Sequence, residues 1–190
     1  MLERVLARTL DEGACPHLTV LLRTSDELYP VLASFYALGA KRNGWMAHRS
    51  IAGEADLERE HLSRAGLDVE ALESDGRLTV VEFDPDENPE ASPEPWQKAL
   101  EEALGRGLSA LWYARHAVGT DEAQYEGVVA FEVAWDQAFK NKPVVTLCPY
   151  IVGGLSGSGA IERTQAVSEF HDGLLVPSRD GDYTLFETVR

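Results

Sequence analysis

Side chains able to do chemistry gather in three short stretches, Tyr113-Ala114-Arg115-His116, Leu147-Cys148-Pro149-Tyr150 and His171-Asp172-Gly173. A thiol, a phenol and an imidazole brought together would line a small polar pocket or chelate a metal ion. Cys148 and Tyr150 flank Pro149, which sets their side chains near one another. For a metal, Cys15, His17, Cys148 and His171 are ligands of suitable type. Cys15-x-His17 lacks the usual close pairing, and the other two are distant in sequence, so no metal or other cofactor is expected. A Cys148 nucleophile served by a histidine base has no local signature either. On the plain alternative, Cys148 is a small buried side chain and Tyr150 sits at the edge of the core. His48, His61 and His116 read as surface positions.

Glu132 lies in Val128-Val129-Ala130-Phe131-Glu132-Val133-Ala134-Trp135, an otherwise apolar helical stretch. Buried there, its charge needs partners. On the helix's solvent edge it needs none, and the spacing leaves both open. A nucleotide site in an α/β chain would follow the first strand as Gly-x-x-x-x-Gly-Lys-Ser/Thr, whose backbone amides cradle phosphate. This chain has Arg23-Thr24-Ser25-Asp26-Glu27-Leu28-Tyr29-Pro30, without glycine or lysine. Asp26 and Glu27 stand at the helix N-terminus, where a phosphate would have to sit. Triphosphate binding in that mode is excluded. Gly153–Gly159, with four glycines and two serines, reads as a flexible loop beside Tyr150.

The elements that must position these residues alternate between strand and helix. Leu18–Leu22 is an uncharged strand, and Leu28, Val31, Leu32, Phe35 and Leu38 form one helical face behind Ser25-Asp26-Glu27 as cap and first turn. Trp45–His48 is a strand, Glu54–Ala65 a helix and Leu78–Phe83 a strand. Asp84–Pro95, with four prolines and five acids, is a surface loop. Then come helix Trp96–Leu104, strand Leu108–Ala114, helix Ala123–Phe139, strand Pro143–Cys148, helix Ile161–Phe170 and a closing strand. This rhythm predicts a three-layer α/β sandwich with a mainly parallel sheet. Ligands of such sheets bind beyond the carboxyl ends of the strands, and a cavity at that rim is expected.

The chain has 190 residues, one domain's worth, with Lys+Arg 17 against Asp+Glu 32 and a net charge of −15. That surface repels phosphate backbones and anionic lipid, which excludes self-contained nucleic-acid or membrane binding. No apolar run reaches the roughly 18 residues of a bilayer span. The first residues lack a signal-peptide centre, and two cysteines make no disulfide framework. A cytoplasmic location follows as the expectation. Acidity and an exposed Trp96 region hint at assembly into a homo-oligomer.

Pro16-His17-Leu18-Thr19-Val20-Leu21-Leu22-Arg23-Thr24-Ser25-Asp26-Glu27-Leu28 resembles the opening of the MEDS domain, a sensory module named from methanogens, methylotrophs and a dichloromethane-responsive repressor. The family's Phe-x-x-x-Gly has a counterpart in Phe35-Tyr36-Ala37-Leu38-Gly39. Its helical Glu, its strand ending Leu-Cys-x-Tyr and its late His are matched by Glu132, Leu147-Cys148-Pro149-Tyr150 and His171. The resemblance covers about residues 13–177, between an N-terminal helix at 1–12 and a closing strand at 183–189, and makes 1–190 a single sensory domain. It implies a RecA/KaiC-like fold that has lost its Walker A loop, with His17, Glu132, Cys148, Tyr150 and His171 as ligand-sensing residues. Where relatives often carry Met-x-Trp after the fourth strand, this chain has Arg115-His116-Ala117, and Arg115 is expected to favour an anionic group. Relatives are commonly fused to kinase or DNA-binding modules, for which 190 residues leave no room. The expectation is therefore a non-catalytic sensor of a small organic molecule that acts in trans on a kinase, anti-sigma factor or transcription regulator. A protein-interaction module derived from a degenerate ATPase core, and a Cys148/His171 enzyme, are the alternatives.

Overall fold

A computed structural model describes residues 2–11, 15–83, 93–115, 122–152, 169–178 and 182–188. Helix α1 (Leu2–Asp11) precedes strand β1 (His17–Leu22), and a 3-10 turn (Ser25–Glu27) leads into α2 (Leu28–Lys41). There follow β2 (Trp45–Ile51), α3 (Ala55–Arg64), α4 (Val69–Ser74), β3 (Leu78–Phe83), α5 (Glu94–Gly105) and β4 (Leu111–Arg115). Helix α6 (Glu122–Phe139), β5 (Val144–Ile151), β6 (Gly173–Pro177) and β7 (Tyr183–Glu187) complete the order. The strands make one sheet in the order β3-β2-β4-β5-β1-β6-β7, antiparallel only between β6 and β7. Parallel neighbours need long crossovers, and the intervening helices supply them. This is the expected α/β fold with a mainly parallel sheet.

Side-chain alternation divides the strands between two cores. Leu18, Val20 and Leu22 of β1, with Trp112 and Ala114 of β4 and Val145 and Leu147 of β5, pack under α1, α2, α3 and α4. Ala47, Leu111, Tyr113 and Val144 point the other way, against Trp96, Leu100 and Ala103 of α5 and Phe131, Trp135 and Phe139 of α6. The Phe35-x-x-x-Gly39 pair belongs to the first core. Phe35 meets the Trp112 ring at 5.1 Å, and a Cβ on Gly39 would lie 2.7 Å from that ring, so glycine is what lets α2 settle on β4.

Some expectations are corrected. Trp96 is buried rather than exposed, held among Trp45, Tyr113 and Trp135, so it offers no surface for assembly. Ser25–Glu27 forms its own 3-10 turn with no side-chain cap bond. Helix α4, started by the Asp68 carboxylate accepting from Ala71 N–H, was not anticipated, nor was β6. The Gly153–Gly159 loop, His116, and most of the Asp84–Pro95 and Ile161–Phe170 segments lie outside the described residues. Among the described residues no helix is long and apolar enough to cross a membrane.

Candidate functional site

Register decides which chemistry meets. His17 pairs with Thr146, Thr19 with Cys148 and Leu21 with Tyr150, so the odd-numbered β1 positions share a face with the even-numbered β5 positions Thr146, Cys148 and Tyr150. That face looks toward α6. On α6, Phe131, Trp135 and Phe139 repeat every four residues and stack into the aromatic layer, with Trp135 4.1 Å from the Tyr113 ring. Trp135 Nε1 also donates to Thr146 Oγ1 at 2.9 Å, which fixes the helix over β5. Glu132, one residue past Phe131, is carried inward by this seat and is fully buried.

Its two carboxylate oxygens divide the work. Oε1 accepts from the Tyr150 hydroxyl at 2.7 Å and from the Arg115 guanidinium at 3.0 Å. Oε2 lies 3.0 Å from His17 Nε2, 3.5 Å from Cys148 Sγ and 3.7 Å from His171 Nε2. His17 Nε2 stands 3.4 Å from Cys148 Sγ, and the two histidine rings are 4.2 Å apart. All six residues named from the sequence thus meet at one carboxylate, and none is more than 6% exposed. Asp172 locks the two histidine segments together: its carboxylate accepts the His17 N–H at 2.8 Å, and its own N–H donates to the His17 carbonyl at 2.7 Å.

Buried charge survives here because it is matched. Burial alone would raise the Glu132 carboxyl, but the His171 and His17 rings and Arg115 outweigh it and hold it well below the ordinary range. Burial pushes the Cys148 thiol well up, and the Glu132 carboxylate pushes it further. Burial likewise raises the Tyr150 phenol, against the pull of Arg115. Cys148 and Tyr150 therefore stay protonated at neutral pH and serve as donors.

One expectation changes. The cluster is not at the carboxyl rim but inside the layer between sheet and α6. A broad groove of about 930 Å³ lies elsewhere, along the amino-terminal edge of the sheet, with Cys15, His17, Thr146, Asp136, Lys142 and Asp172 in its walls. Arg115 donates to Glu132 at 3.0 Å and lies 4.9 Å from the Tyr150 ring centre, while its Nε is buried without a hydrogen-bond partner. Cys15 is exposed and stays out of the cluster.

A second buried polar group, on the opposite face, was missed. Tyr36 Oη meets His48 Nδ1 at 3.0 Å, and His48 Nε2 contacts the Glu58 carboxylate, all three sealed from solvent. His48 is thus a core residue and not a surface one, and His61 is half-buried, stacked 4.5 Å from Tyr29. The signal was available. His48 is the one polar residue in Trp45-Met46-Ala47-His48, in a strand buried on both faces, and Glu58 is spaced on α3 to face it.

The described geometry can hold a proton network, a metal ion, or a polar molecule that displaces part of either. Comparison with known proteins narrows the setting. No functionally curated protein matches the chain. Among solved structures, an uncharacterized protein from Pyrococcus horikoshii, crystallised in complex with an unknown peptide, is similar in fold with a TM-score of 0.57. It is 17% identical, and the match covers 95% of this chain and 88% of that one. A family model, the MEthanogen/methylotroph, DcmR Sensory domain, matches residues 16–166, a span that holds His17, Arg115, Glu132, Cys148 and Tyr150. The chain belongs to the MEDS family of sensory domains.

Proposed function

We propose that this chain senses a small organic molecule in the cytoplasm, does not convert it, and passes the signal in trans to a kinase, anti-sigma factor or transcription regulator. One observation carries the reading: His17 is shared between the wall of the open groove and the buried Glu132 cluster. A molecule entering the groove therefore reaches the network through one imidazole. The high proton affinity of the Cys148 thiol supports the non-catalytic part, since the thiolate is the nucleophile. Two free cysteines suit a reducing compartment.

The proposal includes descent from a RecA/KaiC-like ATPase core. Just after β1, the Glu27 carboxylate accepts the Arg23 backbone N–H at 2.8 Å and its Nε–H at 2.7 Å. An internal anion thus occupies backbone that a phosphate loop would offer to nucleotide, in support of that history.

The test is a calorimetric and thermal-shift screen of small alcohols, aldehydes, halocarbons and carboxylates on the intact chain. A true ligand raises the melting temperature with its concentration, by RT ln(1 + [L]/Kd) in stability. His17→Ala abolishes the shift. If no compound binds, and Tyr150→Phe with His171→Ala leaves every partner interaction unchanged, the sensing reading fails. Salt-sensitive capture of a basic protein without any pocket ligand would then favour the interaction module.

A further inference from the structure

We infer that His17, Glu132, Cys148 and His171 bind one divalent transition-metal ion of the zinc class. Their ligand atoms all lie within 4.8 Å of one another, and all four residues are buried. A tetrahedral ion with bonds of about 2.0–2.3 Å has ligand–ligand edges of about 3.3–3.7 Å. The distances here are 3.0, 3.4, 3.5 and 3.7 Å for His17–Glu132, His17–Cys148, Cys148–Glu132 and His171–Glu132. Direct hydrogen bonding does not account for all four at once. The 3.7 Å between His171 and Glu132 is long for an N–H···O hydrogen bond, and one His17 N–H cannot serve both the thiol and the carboxylate. Three of the four lengths, 3.4, 3.5 and 3.7 Å, fall in the range of the edges of a coordination tetrahedron.

The surroundings agree. The Tyr150 hydroxyl and Arg115 both hold Glu132 Oε1, which leaves Oε2 turned toward the other three ligands. Ligating carboxylates are normally oriented in this way by a second layer of hydrogen bonds. Asp172 ties the segments bearing His17 and His171 into one unit. Two imidazoles, a thiolate and a carboxylate suit zinc, cobalt or ferrous iron and not the oxygen-seeking calcium or magnesium. On binding, the Cys148 S–H bond breaks, its electron pair goes to the metal, and the proton leaves to solvent. Sequence spacing concealed the set because its members come from β1, α6, β5 and the segment before β6, and because Glu132, not Cys15, supplies the fourth ligand.

The inference does not depend on organic sensing, and its test contains no organic ligand, so the two readings can fail separately. The intact chain is stripped with a chelator and titrated with cobalt(II), a coloured substitute for zinc. One ion per chain should produce a thiolate-to-metal charge-transfer band and the intense visible bands of tetrahedral cobalt, and zinc should bleach both. Cys15→Ser should keep the charge-transfer band, and Cys148→Ser should lose it. Tyr150→Phe should keep the band and weaken affinity about 10–100-fold. Absence of the charge-transfer band from the wild-type chain in excess cobalt would overturn the inference whatever the variants do. So would a band that disappears with Cys15→Ser.

Discussion

Replacing Glu132 with alanine, in chelator-treated protein so that no metal contributes, strands a guanidinium that is 3% exposed. Removing one partner of a buried ion pair costs about 3–5 kcal/mol, because the remaining charge stays out of water without compensation. The Tyr150 hydroxyl also loses its acceptor at 2.7 Å, a loss of about 1–3 kcal/mol for a buried donor left unpaired. These contributions share one carboxylate and do not add in full, so the expected loss is about 4 kcal/mol. For a chain of this size, where 1 kcal/mol moves the midpoint by about 2–4 °C, melting should fall by about 8–16 °C. Equilibrium urea unfolding followed by tryptophan fluorescence reads it, with Trp135 one turn along the same helix as reporter. A double-mutant cycle supplies the sharper number. Arg115→Met should be less harmful in the Glu132→Ala background than in the wild type by about 2 kcal/mol, since the charge it removes no longer has a counter-ion. A Glu132→Ala loss within about 0.5 kcal/mol, the range of an ordinary surface change, would refute the buried pair, and so would an additive cycle.

Gly39→Ala should destabilise by about 1–3 kcal/mol in the same assay, despite alanine's better helix propensity, because its Cβ would press into the base of the fully packed Trp112 ring. A thiol reagent should modify Cys15 quickly and Cys148 only on unfolding, so one equivalent is consumed in native buffer and two in denaturant. Tyr113, buried against Trp135, has its phenol pushed up to about 12 by burial, against Arg49 and Arg115, while in the unfolded chain it titrates near 10. A folded value above the unfolded one means full stabilisation below pH 10, lost as pH rises toward 12. Tyr113 accounts for about 3 kcal/mol of the decline across that window, beside the shares of Tyr36, Tyr150 and Cys148, and Tyr113→Phe should remove that share alone in urea titrations at stepped pH.

How much of this was legible in the sequence follows from what each signal measures. Strand and helix alternation is local, and it located every strand except β6, where Gly173-Leu174-Leu175-Val176-Pro177 is too short and too plain to stand out beside a histidine. The identity of the cluster residues was also legible, because a glutamate among apolar neighbours and a cysteine in the most apolar strand are chemically out of place. Their juxtaposition was not. It depends on β1 pairing with β5 across most of the chain's length and on the odd-to-even register between them, which no local pattern encodes. The rule that α/β sheets bind at their carboxyl rim does not lead to this cluster. It describes loops, whereas this site is built from side chains on one face of the sheet and on the helix above it. His48 taken alone resembles a surface residue; the apolar strand around it is the signal that it is buried, and Tyr36 and Glu58 on either side supply its partners.

On the proposed sensing reading, α6 is the element that turns occupancy into shape. Phe131, Trp135 and Phe139 attach it through aromatic contact, which tolerates small sliding, while Glu132 attaches it through directional bonds, which do not. Reversing a two-state balance from 1:99 to 99:1 takes a difference of about 5.5 kcal/mol in ligand affinity. The Glu132 attachments, at about 3–5 kcal/mol, are of that order. A molecule that exchanges hydrogen bonds with His17 can draw on them; one that fills the groove through contacts equal in both positions shifts nothing. Alcohols and aldehydes should therefore alter hydrogen exchange along α6, and a halocarbon of equal size should bind without doing so. Equal responses to both classes would show that filled volume, and not the carboxylate, governs the helix.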